Sequence, residues 1–409
     1  MRRARAAVAA GVGSVALLAM SNCFVEGFVR VEATGGGQPS EDAGLDAPDD
    51  GDADQGCQHA TWPGPPAEPD PGTDSVDIVL AVTWVDFGEQ GASEGPLIGY
   101  DLDGRCTCQG EGPSCNPPEW VSADGCDGPE GRDNAWAQIF EGMSLFDANL
   151  NSAALTRQIQ EGRFTMLTRI SRYNGRPNDD NVALALHPSP ALERDPCLPD
   201  DVLPAWDGTD RWPVLASSLV GSGGSGYGGG VPANCSSGAH IPAGYSLDEP
   251  RFVDEHAYVT DSVLVANLPS VELVMSSQYG GSDMKLTAGF MTFRLEQDGS
   301  TGNWTARDGT LVGRWMVTEV FRSLSLMAIG SEDPPCADHP LFPLIKSGVC
   351  AFPEIASTLG GPTTPCDAIS FGMAFEAVEA DFGSVFVAAP RTSNCTPETD
   401  IANQSCETP

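Results

Sequence analysis

The chain has 409 residues, a formal net charge of −36 at pH 7 and 41% hydrophobic residues. That length allows one large or two ordinary domains. The acidic balance repels nucleic acid and anionic lipid, which sets aside DNA binding and charge-driven adhesion to a membrane surface.

In chain order, Arg2, Arg3 and Arg5 precede a run of small and apolar residues from Ala6 to Met20, followed by Ser21, Asn22 and Cys23. Basic, apolar and small-residue segments in that order make a secretory signal. The apolar run is short of the roughly 20 residues a membrane-spanning helix needs. Residues 1–23 resemble a bacterial lipoprotein signal, in which the cysteine carries the lipid. The resemblance implies a signal peptide over residues 1–22 and lipidation of Cys23. Residue 24 is Phe rather than Asp, which by the same resemblance implies the outer membrane or cell surface. The alternative is a cut after Ser21 and a freely secreted protein. Thirteen cysteines are odd in number; setting Cys23 aside leaves a set that can pair completely, as expected in an oxidising compartment.

Residues 23–74 read as a lipid-anchored, disordered tether. No Lys or Arg occurs between Arg30 and Arg105, seven acids fall from Glu41 to Asp54, and a Pro-rich piece runs from Pro63 to Pro71. Self-repelling acidic sequence with few apolar residues stays extended. The folded domain is expected over residues 75–409. Its first strand is Val76–Phe87, apolar on both faces, and a second is expected at 97–103. A loop with Cys106, Cys108, Cys115 and Cys126 follows. Asp133 is expected to cap a helix whose apolar stripe is Trp136, Ile139, Phe140 and Met143, and Ser152–Gln160 reads as a second helix. Strands are expected at Phe164–Tyr173 and Val182–His187.

Residues 189–250 are Pro- and Gly-rich without a convincing element and read as a long loop excursion, tied down by Cys197 and Cys235. Strand-like runs then fill Ala257–Trp315. Asp298-Gly299 and Asp308-Gly309 both read as hairpin turns, because each of their residues tolerates positive φ. Met316–Met327 is helical in pattern, and strands close the chain at Ala368–Val378 and Ser384–Ala389. About ten strands with inserted helices and several disulfides imply a mainly β protein: a single antiparallel β-sandwich or jelly-roll-like domain. The body loosely resembles uncharacterised exported lipoproteins of Gram-negative bacteria, a likeness that brings no activity with it.

Four cysteines in 106–126 lack the paired CxxC knuckles of a zinc site, and export favours disulfides. Sequence proximity suggests the pairs Cys197–Cys235, Cys336–Cys350 and Cys395–Cys406. Asp101, Asp103, Asp127, Asp133 and Asn134 form an oxygen-rich set suited to a structural calcium ion, with solvated turns as the alternative. Glu376, Glu379 and Asp381 are the best paired carboxylates for catalysis, placed as in a secreted glycoside hydrolase on a β-sandwich; surface charge is the plainer reading. Trp206, Trp212, Tyr227 and Tyr245 could stack on sugar rings or anchor their loop. The favoured reading is an exported, lipid-anchored cell-envelope protein with a non-enzymatic binding or structural role. It meets the membrane through its lipid only, binds no nucleic acid, and has an extracellular carbohydrate or protein as its ligand class.

Overall fold

The first strand, β1 (Val76–Asp86), pairs antiparallel with β2 (Thr165–Tyr173) on one edge and with β9 (Ala368–Glu379) on the other. Between them run β3 (Asp179–Ser189), β5 (Val253–Thr260), β6 (Val263–Val274), β7 (Asp283–Gln297) and β8 (Trp304–Met316). The order β1-β2-β3-β5-β6-β7-β8-β9 closes on itself, so this computed structural model shows an eight-stranded antiparallel barrel. It describes residues 57–70, 72, 75–89, 97–121, 125–144, 151–193, 202–221, 241–274, 283–326, 336–388 and 393–406. The signal, Cys23 and most of the acidic tether lie outside them.

The barrel corrects the expected sandwich or jelly roll. Alternating apolar residues and tight turns suit either architecture equally well. The choice is made by a pairing some 290 residues apart in sequence, Val82 with Ala377 and Val85 with Phe375, which no local pattern carries. Eight strands leave an interior that side chains can fill. Leu80, Val82, Leu184, Leu186, Leu264, Phe293, Leu311 and Phe375 are buried and share the inward parity of the registers.

Asp308-Gly309 is not a hairpin turn. β8 runs through it as one strand, and its register with β9 shifts between Ala306 and Gly309. Asp308 takes φ +51°, so the pair forms a bulge, the other use of a residue with positive φ in a strand. A Cβ on Gly309 would lie 2.6 Å from the Phe375 carbonyl oxygen. β6 likewise runs unbroken through Pro269 to Val274.

Two helices seal the rim where ladders stop. β1 pairs with β2 no further than Ala81, and beyond it α2 (Ser152–Gln160) supplies partners for the open edge. The Val85 amide donates to Thr156 Oγ1 and the Phe87 amide to Ser152 Oγ, at 3.1 and 2.9 Å. α1 (Ala135–Ser144) lays Phe140 against Phe87 and Trp136 against Trp315, with centroids 4.7 and 4.9 Å apart. An unpaired buried edge would cost free energy, which these side chains remove. α3 (Val317–Leu324) buries Val320, Phe321 and Leu324 where a helix is expected, and α4 (Phe342–Cys350) follows it.

The excursion over 189–250 contains a strand the sequence reading missed. β4 (Arg211–Leu215) pairs in parallel with β10 (Asp381–Phe386) as a small sheet. It packs Trp212, Val214 and Val385 against Ala81 and Leu167 on the barrel's outer wall. Trp212 is buried and Trp206 stacks on it at 5.5 Å, so these aromatics anchor the loop rather than form a sugar platform. Tyr227 lies outside the described residues. The expected strand at 97–103 is absent: Gly99 and Gly104 have φ +139° and +74°, and Asp101 binds the chain into a turn.

Candidate metal centre

The outer faces of β7, β8 and β9 are covered by irregular chain. Phe290, Val312 and Ala368 pack there against Tyr100, Leu102 and Ile355. Residues near Pro63, expected as the stiff end of the tether, join this cover. Trp62 stacks on Phe290 at 3.9 Å, and Tyr258 Oη donates to the Pro63 carbonyl at 2.6 Å. Three disulfides fix the cover: Cys57–Cys106, Cys108–Cys126 and Cys115–Cys366. The four loop cysteines are therefore oxidised and unavailable to zinc. Two further bridges, Cys336–Cys395 and Cys350–Cys406, staple the C-terminal tail. They correct the neighbouring pairs Cys336–Cys350 and Cys395–Cys406. A disulfide needs Cα atoms about 4.4–6.8 Å apart, and the tail brings Cys395 and Cys406 to 5.6 and 5.5 Å from Cys336 and Cys350. Cys197 and Cys235 lie outside the described residues.

Within the cover, one oxygen from each of Asp101, Asp103 and Asp133 lies within 4.8 Å of the other two. Asp101 Oδ1 accepts from the amides of Asp103, Gly104 and Arg105 at 3.2, 2.7 and 3.2 Å, while Oδ2 meets His59 Nδ1. Asp133 does not take the helix-capping role expected for it. Its Oδ2 accepts from the Leu102 amide at 2.6 Å, and the Ala135 amide donates to Ser370 Oγ instead. Asp127 accepts from the Thr107 amide at 2.5 Å. Asp127 and Asp133 line an open pocket together with Glu354, Arg132 and Ser370. Glu354 Oε1 accepts from the Ser370 amide at 2.8 Å. Its Oε2 is sealed from solvent and has no hydrogen-bond partner among the described residues.

Gathering these acids is electrostatically costly. Burial pushes the Asp127 carboxyl up to about 7, with Asp103 and Asp101 adding to the shift, and pushes Glu354 up to about 8. Asp133 is raised well above the carboxylate range, by burial first and then by Asp103 and Asp127; Asp103 is raised by burial as well. Desolvation and like charge both disfavour the ionised form. Arg314 is the buried cation facing them, donating to the Ala356 and Leu102 carbonyls at 3.0 and 2.6 Å. A set of hard carboxylate oxygens with one guanidinium among them suits a hard cation, or else protons.

The sequence-derived calcium set is thus mostly assembled: Asp101, Asp103 and Asp133 converge, and Asp127 adjoins them. Asn134 does not take part. Its Nδ2 donates to the Gly372 carbonyl at 3.2 Å while Oδ1 accepts from the Gly372 amide at 2.9 Å, extending the free edge of β9. Glu354 and Arg314 were missed. The signal for Arg314 is a charge inside the apolar run Leu311–Met316; Glu354, in a short loop, gives none.

Glu376, Glu379 and Asp381 form no facing pair in a cleft. Glu376 bonds Arg307 on the surface, with its side chain 42% exposed. Glu379 accepts from the Trp304 amide at 2.6 Å, and Asp381 starts β10 beside Arg211. Comparison of the chain with protein-family models, curated proteins and solved structures gives no match.

Proposed function

We propose that this chain is an exported protein of the bacterial cell envelope, anchored at the outer membrane or cell surface by lipid on Cys23. Its role is binding or structural rather than enzymatic, with the acidic pocket as its functional centre. The observation that carries the reading is that every cysteine among the described residues is in a disulfide. Such a framework belongs to an oxidising compartment. Cys197 and Cys235 can then pair with each other, which leaves Cys23 as the odd thiol for the lipid.

The outer wall of the barrel supports a water-exposed domain on a leash. Arg169 on β2 bridges Asp77 and Asp248 at 2.7 Å each, and Arg294 on β7 faces Asp308. Outward arginines in a lipid-embedded wall would cost up to about 2–4 kcal/mol each. Glu376 is held by Arg307 and Glu379 by the Trp304 amide, which supports the non-enzymatic role. Mass spectrometry of the mature N-terminus tests the proposal: a diacylated Cys23 and no free thiols are expected. An unmodified N-terminus at Asn22 would show free secretion, and reduced cysteines would overturn export itself.

A further inference from the structure

We infer that the Cys108–Cys126 bridge is a reactive disulfide, opened by thiol–disulfide exchange with a dithiol reductant of the cell envelope while the other described bridges stay closed. The inference rests on the export reading, which supplies the oxidised starting state, and goes beyond it by naming one bridge and its co-reactant. Three independent observations meet there. Among the cysteines of the described bridges, Cys108 alone is exposed; Cys106, Cys115, Cys350 and Cys366 are buried and the others half-buried. Cys108 is also the one bridged cysteine with a left-handed backbone, at φ +67°. That conformation is uncommon outside glycine and persists only where the surroundings impose it. Exposed or strained disulfides are the labile ones, since attack needs access to sulfur and opening relieves strain. Finally, the bridge closes the shortest loop, with a sequence separation of 18 against 49 to 251 for the rest. In the chain-entropy account the shortest loop contributes least to stability, so its opening costs the fold least.

Exchange starts at the exposed end. A thiolate of the dithiol attacks Cys108 Sγ, the Sγ–Sγ bond breaks, and Cys126 leaves as a thiolate that takes a proton from water. The second thiol of the reductant then displaces Cys108 from the mixed disulfide. Two electrons pass to the bridge, and the reductant ends as a disulfide. The neighbouring bridges confine the consequence. Cys106 stays joined to Cys57 and Cys115 to Cys366, so the chain remains pinned on both sides of Cys108. What the bridge clamps is the contact of residues 107–109 with 126–128. There the Thr107 amide donates to Asp127, the Asp127 amide to the Thr107 carbonyl at 3.3 Å, and Gln109 Nε2 to the Asp127 carbonyl at 3.2 Å. Gly125, Cys126 and Asp127 line the pocket that Glu354 also lines. Opening this one bridge therefore unlatches a wall of the pocket without releasing the barrel.

The test is graded reduction of the purified, oxidised mature protein with dithiothreitol under native conditions. N-ethylmaleimide quenches each time point, and peptide mass spectrometry assigns every alkylated cysteine. Among the five described bridges, Cys108 and Cys126 are expected to be alkylated first, about tenfold faster than any other pair. At that stage hydrogen exchange should rise in residues 107–114 and 125–128 and stay unchanged in β6 to β9. Replacing Cys108 and Cys126 together by Ala should reproduce that exchange pattern without reductant. If the variant does not fold, the parent alkylated at this bridge alone provides the same comparison. Reduction of another described bridge first or at the same rate overturns the inference, as does exchange that rises equally in β6 to β9. Free thiols throughout the untreated protein would instead refute export.

Discussion

In the barrel wall, strand ladders satisfy the backbone and inward side chains such as Leu80, Phe293 and Phe375 fill the lumen. The cover over β7–β9 is built otherwise. Among the described residues no strand forms between β1 and α1. There, chain direction is set by three disulfides, by Asp101 gathering successive amides, and by carboxylates held around Arg314. A periodic wall gains from each added residue of ladder and core. An irregular cover has no such repeat, so covalent links and specific polar contacts must fix each turn separately. The comparison explains why three of the five disulfides among the described residues share one layer with the buried acids.

The wall should respond most to loss of volume. Phe375→Ala removes a buried ring that packs 5.9 Å from Phe293, and a loss of about 3–5 kcal/mol is expected from denaturant unfolding. Replacing both Cys115 and Cys366 by Ala opens a link spanning 251 residues. It should cost about 2–5 kcal/mol in the same measurement, with structural change confined to the cover.

His187 gives a pH signature outside the acidic layer. It is buried between the barrel and the β4–β10 sheet, with Nδ1 3.0 Å from Ser218 Oγ and its ring against Phe382. Burial, with a smaller contribution from Arg169, lowers its pKa from the usual 6.5 to about 4. The unfolded chain therefore takes the proton first. Stability from this residue is intact above pH 6.5 and falls by about 3 kcal/mol as pH drops to 4. His187→Asn should flatten that acid limb in melting curves. The smallest effect is expected at the surface: Arg307→Ala breaks its half-exposed pair with Glu376 and should change stability by less than about 1 kcal/mol.

The same division decides what the sequence reveals. Apolar periodicity locates β1, β2, β9 and α2 closely, because each of those elements buries a regular face. It misplaces the stretch 97–103, where Leu97, Ile98 and Tyr100 imitate a strand but Gly99 and Gly104 take positive φ. It cannot separate sandwich from barrel, since closure depends on β1 meeting β9. β4 is hidden because Pro213 interrupts a five-residue strand whose partner lies far along the chain. In the candidate site, the density of Asp near Gly points to Asp101, Asp103, Asp127 and Asp133. Asn134 is drawn in by composition alone, and only the fold shows that it serves the edge of β9. Glu354 joins through tertiary contact, and Cys336 and Cys350 find partners by geometry rather than by nearness in sequence.

Hydrogen exchange of the mature protein, compared between its oxidised and fully reduced forms, tests the contrast between wall and cover most directly. Reduction should expose amides across residues 101–133, while Val263–Val274, Asp283–Gln297, Trp304–Met316 and Ala368–Glu379 keep their protection. Equal loss in the cover and in these four strands, or no loss in either, would contradict a barrel that stands by its own ladders beneath a layer held by sulfur bridges and buried acids.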